Sequence, residues 1–308
     1  MPKNYNKKVL LAKLESTYGS DASPQAADAI LLSDVTITPM DADIQERGLV
    51  TAALGSQAKS VNNPRPAIEF TVELAGAGTP GTVPGYGALL RGCGFAEVID
   101  AGKSVSYKPV SSNFESLSLY FNMDGTAHKL LGARGNVSFS IKAGEIPTMK
   151  FAYTGMWADP SDISLPQADT NAFKIPTFAG NSTTEQLSIH GYTAVLASLN
   201  IDMKNNVIYR HLIGSESVEI TDRGAEGSVS IEAPSLTSKD FFAAAKQGGL
   251  APLTLTHGKT DGHIAQITAP KVQVLAPKYS DSDGVAMLDI DIVVTPDEGD
   301  DELTLTIK

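Results

Sequence analysis

Ile68-Glu-Phe-Thr-Val-Glu-Leu74 carries an apolar side chain at every second position, with Glu69, Thr71 and Glu73 between them. A period of two marks a strand with one buried and one wet face; a helix would scatter the same residues around its axis. The pattern recurs at Leu117, Leu119 and Phe121, at Val137, Phe139 and Ile141, and at Met149, Phe151 and Tyr153. It continues at Leu199, Ile201 and Met203, then Val218 and Ile220, Val229 and Ile231, Leu253 and Leu255, Val272 and Val274, and Leu288, Ile290, Ile292 and Val294. Asp124-Gly125, Asp222-Arg-Gly224, Asp261-Gly262 and Asp283-Gly284 punctuate these runs, so the expected architecture is antiparallel β with hairpins. Two stretches predict helices within this background. Residues 86–93 follow Pro84 and end at Gly92 and Gly94, and residues 238–247 open on Ser238-Lys-Asp240 and close on Gly248-Gly249.

One helix per half suggests an internal repeat. Val35-Thr-Ile37 followed by Arg47-Gly-Leu49 matches Leu199-Asn-Ile201 followed by Arg210-His-Leu212, the strand at 68–74 matches 229–231, and the helix comes next in both. Leu117-Ser-Leu119 then matches Leu253-Thr-Leu255, Asp124-Gly125 and His128 match Asp261-Gly262 and His263, and residues 132–137 match 268–272. A last strand closes each half at 149–153 and 288–294. The match is one of element order and spacing, and it predicts two tandem β domains at 31–165 and 191–308. Residues 166–190, rich in Pro, Asn, Ser and Thr, read as their linker. Residues 1–30 read as a separate arm, in which Leu10, Leu11, Leu14 and Tyr18 fit one helical face or an extended strand. Apolar residues on a detached arm need a surface to cover, and a neighbouring copy is the simplest one.

The chain has 308 residues, 42% hydrophobic and 19% charged, enough to bury a sizeable core. Cys93 is its single cysteine, which excludes an intrachain disulfide framework and a multi-cysteine zinc site. Val9 to Ala12 is too short an apolar run for a signal peptide, so the expectation is a protein made and kept in the cytoplasm unless carried out. The charge sum is 24 − 35 = −11, against the basic groove that phosphate binding requires. Residues 1–165 carry 14 basic and 16 acidic side chains, so the remaining 10 and 19 leave most of the negative charge in the second half.

The sequence offers little chemistry. His257 and His263 lie close together in His-Gly-Lys-Thr-Asp-Gly-His, but a metal site needs a third ligand, and a structural turn is the better reading. Asp281-Ser-Asp283-Gly284 resembles half of a calcium loop, yet position 292, where the bidentate Glu belongs, is Ile. Gly85-Tyr-Gly87 lacks the lysine and glycine spacing of a phosphate loop, no Gly-x-Ser-x-Gly elbow occurs, and Cys93 lies in an apolar helix as a small hydrophobe would. Asn181-Ser-Thr183 fits the glycosylation pattern without a secretory signal to support it. No nucleophile, base and orienter appear together, so an enzyme is not expected and no cofactor or metal is assigned. A carbohydrate-binding sandwich would want exposed aromatic platforms, which 6% aromatics and one tryptophan, Trp157, do not suggest.

Leu10-Leu-Ala-Lys-Leu-Glu-Ser-Thr-Tyr-Gly19, the segment 29–50 with Ser33-Asp-Val-Thr-Ile-Thr-Pro39 and Glu46-Arg-Gly-Leu-Val50, and Thr71-Val-Glu-Leu-Ala-Gly-Ala-Gly-Thr79 leading to Gly87-Ala-Leu-Leu-Arg-Gly-Cys-Gly-Phe95 resemble the tail tube (major tail) proteins of long-tailed bacteriophages. Residues 116–157, with Asp124-Gly-Thr-Ala-His-Lys129 and Gly132-Ala-Arg-Gly-Asn-Val-Ser-Phe139, extend the likeness over nearly the whole chain. The resemblance implies a mainly β protein, a sandwich with a flanking helix, whose copies form rings with a continuous inner β-barrel. Stacked rings make the tube through which the genome passes. Members of this family usually carry one such fold and form rings of six; two folds in one chain imply three chains per ring, a pseudo-hexamer.

On this resemblance the expected partners are further copies of the chain, tape-measure, baseplate or tail-tip and tail-terminator proteins. Double-stranded DNA would pass without specific binding, and no membrane anchor is expected. The location is the virion tail, assembled in the host cytoplasm, and a single tail-terminator ring is the alternative role. An acidic lumen would let the duplex slide, with Glu69, Glu73, Asp289 and Asp291 as candidate lumen-facing side chains against plain outer-surface charge. Residues 1–30 (Leu10, Leu11, Leu14 and Tyr18), 55–65 and 75–86 are the expected contacts between chains or rings. Deleting residues 2–20 is then expected to leave a folded protein that no longer polymerises.

Overall fold

The computed structural model describes residues 2–52 and 54–308. In the first half, β1 (Lys8–Leu14), β2 (Ala29–Ile30), β3 (Ser33–Glu46) and β4 (Lys59–Glu73) precede helix α1 (Gly87–Gly92). There follow β5 (Phe95–Asp100), β6 (Ser104–Pro109), β7 (Leu117–Met123), β8 (Thr126–Lys142) and β9 (Thr148–Asp162). The second half runs β10 (Leu187–Ile189), β11 (Tyr192–Ala194), β12 (Leu196–Asp202), β13 (Asn205–Leu212), β14 (Ser215–Arg223), β15 (Glu226–Glu232) and helix α2 (Phe241–Gln247). It ends with β16 (Leu250–His257), β17 (Ala265–Ser282), β18 (Val285–Thr295) and β19 (Thr304–Ile307). The protein is mainly β with antiparallel sheets, as the alternation predicts.

The halves share one strand order. In the first, β3 pairs with β4, β4 with β9, β9 with β8, and β8 with β7. In the second, β12 pairs with β15, β15 with β18, β18 with β17, and β17 with β16. β1 flanks β7 as β10 flanks β16. A further antiparallel pairing joins the two sets: Leu199 of β12 lies opposite Ile141 of β8, and Ile201 opposite Phe139. The order β3-β4-β9-β8-β12-β15-β18-β17 is therefore a single sheet made of one four-strand unit used twice. β19 ties the halves again, pairing with β17 on one side and β6 on the other.

The apolar faces of these strands meet in one core from Leu10 to Ile307. Phe70, Phe151 and Tyr153 stack across β4 and β9 with ring centroids 5.7 to 6.2 Å apart. The β7–β8 and β17–β18 turns place Asp124-Gly125 and Asp283-Gly284 at positive φ, the backbone a two-residue type I′ hairpin requires. Helix α2 starts at Asp240, whose carboxylate accepts from Ala243 N at 2.8 Å, and stops where Gly248 turns left-handed at φ 66°.

Three sequence expectations change. Residues 1–30 are not a separate arm: β1 pairs with β7 from Lys8 opposite Met123 to Leu14 opposite Leu117. Leu10 and Ala12 enter the main core, while Leu11 packs with Ala29 and Tyr120 on the other face. A strand buried on both faces loses its period-two signature, which is why the sequence left it open. The linker is shorter than 166–190, because β10 pairs with β16 of the second half and Ala179 and Phe173 pack against the core. Within the expected contact segment 55–65, residues 59–65 are strand, since β4 extends the β3–β4 hairpin well beyond the core.

Candidate assembly surfaces

The wet face of the continuous sheet carries the side chains that alternate with the core. Glu69 is exposed and paired with Lys150 at 2.8 Å, while Glu73, two residues on, is half-buried. Asp289 accepts from Ser230 Oγ at 2.6 Å, and Asp291 is exposed opposite Ser228. All four candidates share this face because each flanks buried residues of β4 or β18. Around them lie Ser138, Ser140, Asn200, Asp202 and Glu226, lining with Asp291 a shallow concavity of about 590 Å³. Lys204 pairs with Glu226 at 2.9 Å, and that contact holds its ammonium above its ordinary pKa. Lys278 is exposed opposite Asp289, so Glu69, Glu73, Asp202, Glu226, Asp289 and Asp291 stand against Lys150, Lys204 and Lys278, and these side chains together carry a net negative charge, the opposite of a phosphate-binding groove.

The proposed contacts near the N-terminus serve the chain itself. Leu10 and Leu11 are 1% and 3% exposed within their own fold, so they are not available to a neighbouring copy. Leu14 packs against the same core. Tyr18 Oη accepts from Val218 N at 2.6 Å and its ring lies 4.7 Å from the Arg134 guanidinium. Arg134 donates to Phe114 O and Val218 O, each at 2.8 Å, and to Glu219 at 2.5 Å, fastening the β13–β14 hairpin onto the first half. The glycine loop after β4 is also used internally. Gly78 N donates to Gly262 O at 2.8 Å, and a Cβ at Gly76 would stand 2.2 Å from that carbonyl.

Other residues present what the sequence reading missed. Met40, Ile44 and Val61 are exposed on the outer part of the β3–β4 hairpin, and Tyr279 is 64% exposed on β17 beside Phe242 of α2. Alternation could not flag them, because it tells which face of a strand a residue occupies and not whether a neighbour covers that face.

The residues with chemical potential are held structurally. His257 is buried with Thr184 Oγ1 2.9 Å from Nδ1 and Thr177 Oγ1 3.2 Å from Nε2, and desolvation keeps its pKa below the ordinary value. Cys93 contacts Tyr153 Oη at 3.2 Å, and burial pushes its thiol up to about 12, far from a reactive thiolate. Among the described residues no group of three or more His, Cys, Asp or Glu is arranged to hold a metal ion. No helix among them is long and apolar enough to cross a membrane.

Compared with known proteins, the chain matches the family model for the phage tail tube protein over residues 6–296. No curated protein matches it. With the antiparallel fold and a match that spans nearly its whole length, the chain belongs to the phage tail tube protein family, structural proteins of the virion tail that self-assemble into a tube.

Proposed function

We propose that three copies of this chain form each ring of the tail tube, every copy supplying two pseudo-equivalent halves, and that stacked rings conduct the genome. The observation that carries this reading is the sheet itself: the four-strand unit β3-β4-β9-β8 is repeated as β12-β15-β18-β17 and joined through β12 and β8. A heterologous contact closes into a ring when its repeated rotation completes a full turn, and closure removes the exposed edges of a β-rich chain. Three such sheets at the usual strand spacing and tilt would close into a barrel with a backbone diameter of roughly 45–50 Å. That is wide enough for a hydrated duplex.

The acidic wet face would line this barrel, where it repels phosphate and keeps DNA from sticking. The protein's work is then mechanical, without a catalysed reaction. Its partners are further copies, with tape-measure, tail-tip and terminator proteins setting length and ends, and assembly takes place in the host cytoplasm. Electron microscopy of the concentrated protein, with chains per ring taken from particle mass, tests the proposal. Stacked rings of three chains with a sixfold outline are expected. Rings of six chains overturn the pseudo-hexamer, and single rings that never stack point to a terminator.

A further inference from the structure

The junction inside the chain is a template for the junction between chains. β12 has β15 on one edge and β8 on the other, but its counterpart β3 has only β4 among the described residues. β8 uses residues 138–142 to accept β12, whereas residues 278–282 of β17 pair only with β18. One sheet therefore ends in two free edges, and they are the two edges that meet internally.

The register follows from residues already paired. Phe139 lies opposite Met149, whose partner on β4 is Val72; Tyr279 lies opposite Leu288, whose partner on β15 is Ile231. Tyr279 thus stands where Phe139 stands. Ile201 lines up with Gly227 and Ile292, and Ile37 lines up with Ile68 and Tyr153, so these two also correspond. We infer that residues 34–38 of β3 pair antiparallel with residues 278–282 of β17 in a second copy, placing Ile37 opposite Tyr279 and Thr36 opposite Ser280.

Exposure supports the missing neighbour. Leu199 and Ile201 are each 1% exposed at the internal junction and Phe139 is 2% exposed, but Val35 and Ile37 are only half-buried and Tyr279 is open. The outer hairpins tell the same story. β13–β14 lies over β8 and β9 and buries Val218 and Ile220 there, while the outer β3–β4 hairpin leaves Met40, Ile44 and Val61 in water. In a neighbouring copy that hairpin would lie over β17 and β18. Asp281 replaces Ile141, so the apolar contact ends at Tyr279 and the strand runs on into solvent.

This inference rests on the ring reading, and disulfide trapping separates the two. The internal equivalents Ser140 and Asn200 are directly opposed, with Ser140 Oγ donating to Asn200 Oδ1 at 2.8 Å, so cysteines at 36 and 280 would face each other across the interface. Buried Cys93 stays silent. The full-length Thr36→Cys/Ser280→Cys chain, shown folded by circular dichroism, should give covalent species up to three chains under mild oxidation. The Thr38→Cys/Ser280→Cys chain, two residues out of register, should give several-fold less, and either cysteine alone no species beyond a dimer. Equal or greater trapping at 38 overturns the register. Tubes without trapping at 36 and 280 overturn the edge pairing and leave the tube reading standing. Trapping without tubes upholds the pairing and counts against the tube, and neither one overturns both.

Discussion

Glu15, just past β1, gathers Gly19 N at 2.7 Å, Ser116 Oγ at 2.7 Å, Ser118 Oγ at 2.8 Å and Gly132 N at 2.8 Å on one carboxylate. An amide cannot accept on its nitrogen side, so in Glu15→Gln the serine on that side can turn to accept from the NH2 but one backbone N–H is left unmet, which should cost about 1–3 kcal/mol in denaturant unfolding. An unchanged midpoint would mean that water replaces the lost acceptor. Histidine sets a pH limit at the same scale. Desolvation lowers the pKa of His128, His190 and His257 below 6.5, so the folded chain favours neutral rings and the unfolded chain takes up protons first. Stability is therefore complete above about pH 6.5 and falls as pH drops from there toward the folded-state values. Thermal midpoints measured from pH 7.5 to 5 should decline, and His257→Gln should flatten the decline; a parallel curve would assign the effect to the other two rings.

At the scale of elements, local signals were legible and distant pairings were not. The α2 cap and the Asp-Gly turns are read from neighbours a few residues apart, and the Asp240→Ala chain should lose about 1 kcal/mol through the missing cap alone. β1 is different, because its fate depends on pairing with Leu117–Met123, more than a hundred residues away, and its two buried faces hide its period. The consequence reverses an expectation. Deleting residues 2–20 removes a strand holding Leu10, Leu11 and Ala12 together with the Glu15 and Tyr18 contacts, so the truncated chain should aggregate or lose its cooperative transition. A folded truncated protein that fails only to polymerise would restore the arm.

For the whole molecule, the repeat was legible as an order of elements, but the fusion of the halves was not. Nothing local in residues 138–142 announces that they pair with 198–202. The same holds for the acidic candidates: alternation puts Glu69, Glu73, Asp289 and Asp291 on the wet face of their strands, and only the joined sheet puts them on one surface. Whether that surface repels DNA can be asked of the assembled tube. Glu69→Lys with Asp291→Lys changes four charge units per chain at exposed positions, leaves the core untouched and places the Glu69 replacement beside Lys150. Tubes of the same width should form, and they should now retain linear duplex DNA on sedimentation at low salt and release it as salt rises, because phosphate contacts weaken steeply with ionic strength. Wild-type tubes should retain none under either condition. Retained duplex that added nuclease digests at once would place these carboxylates on the outside of the tube, since outward lysines hold phosphate as well as inward ones do and only DNA held in the lumen is shielded from the enzyme.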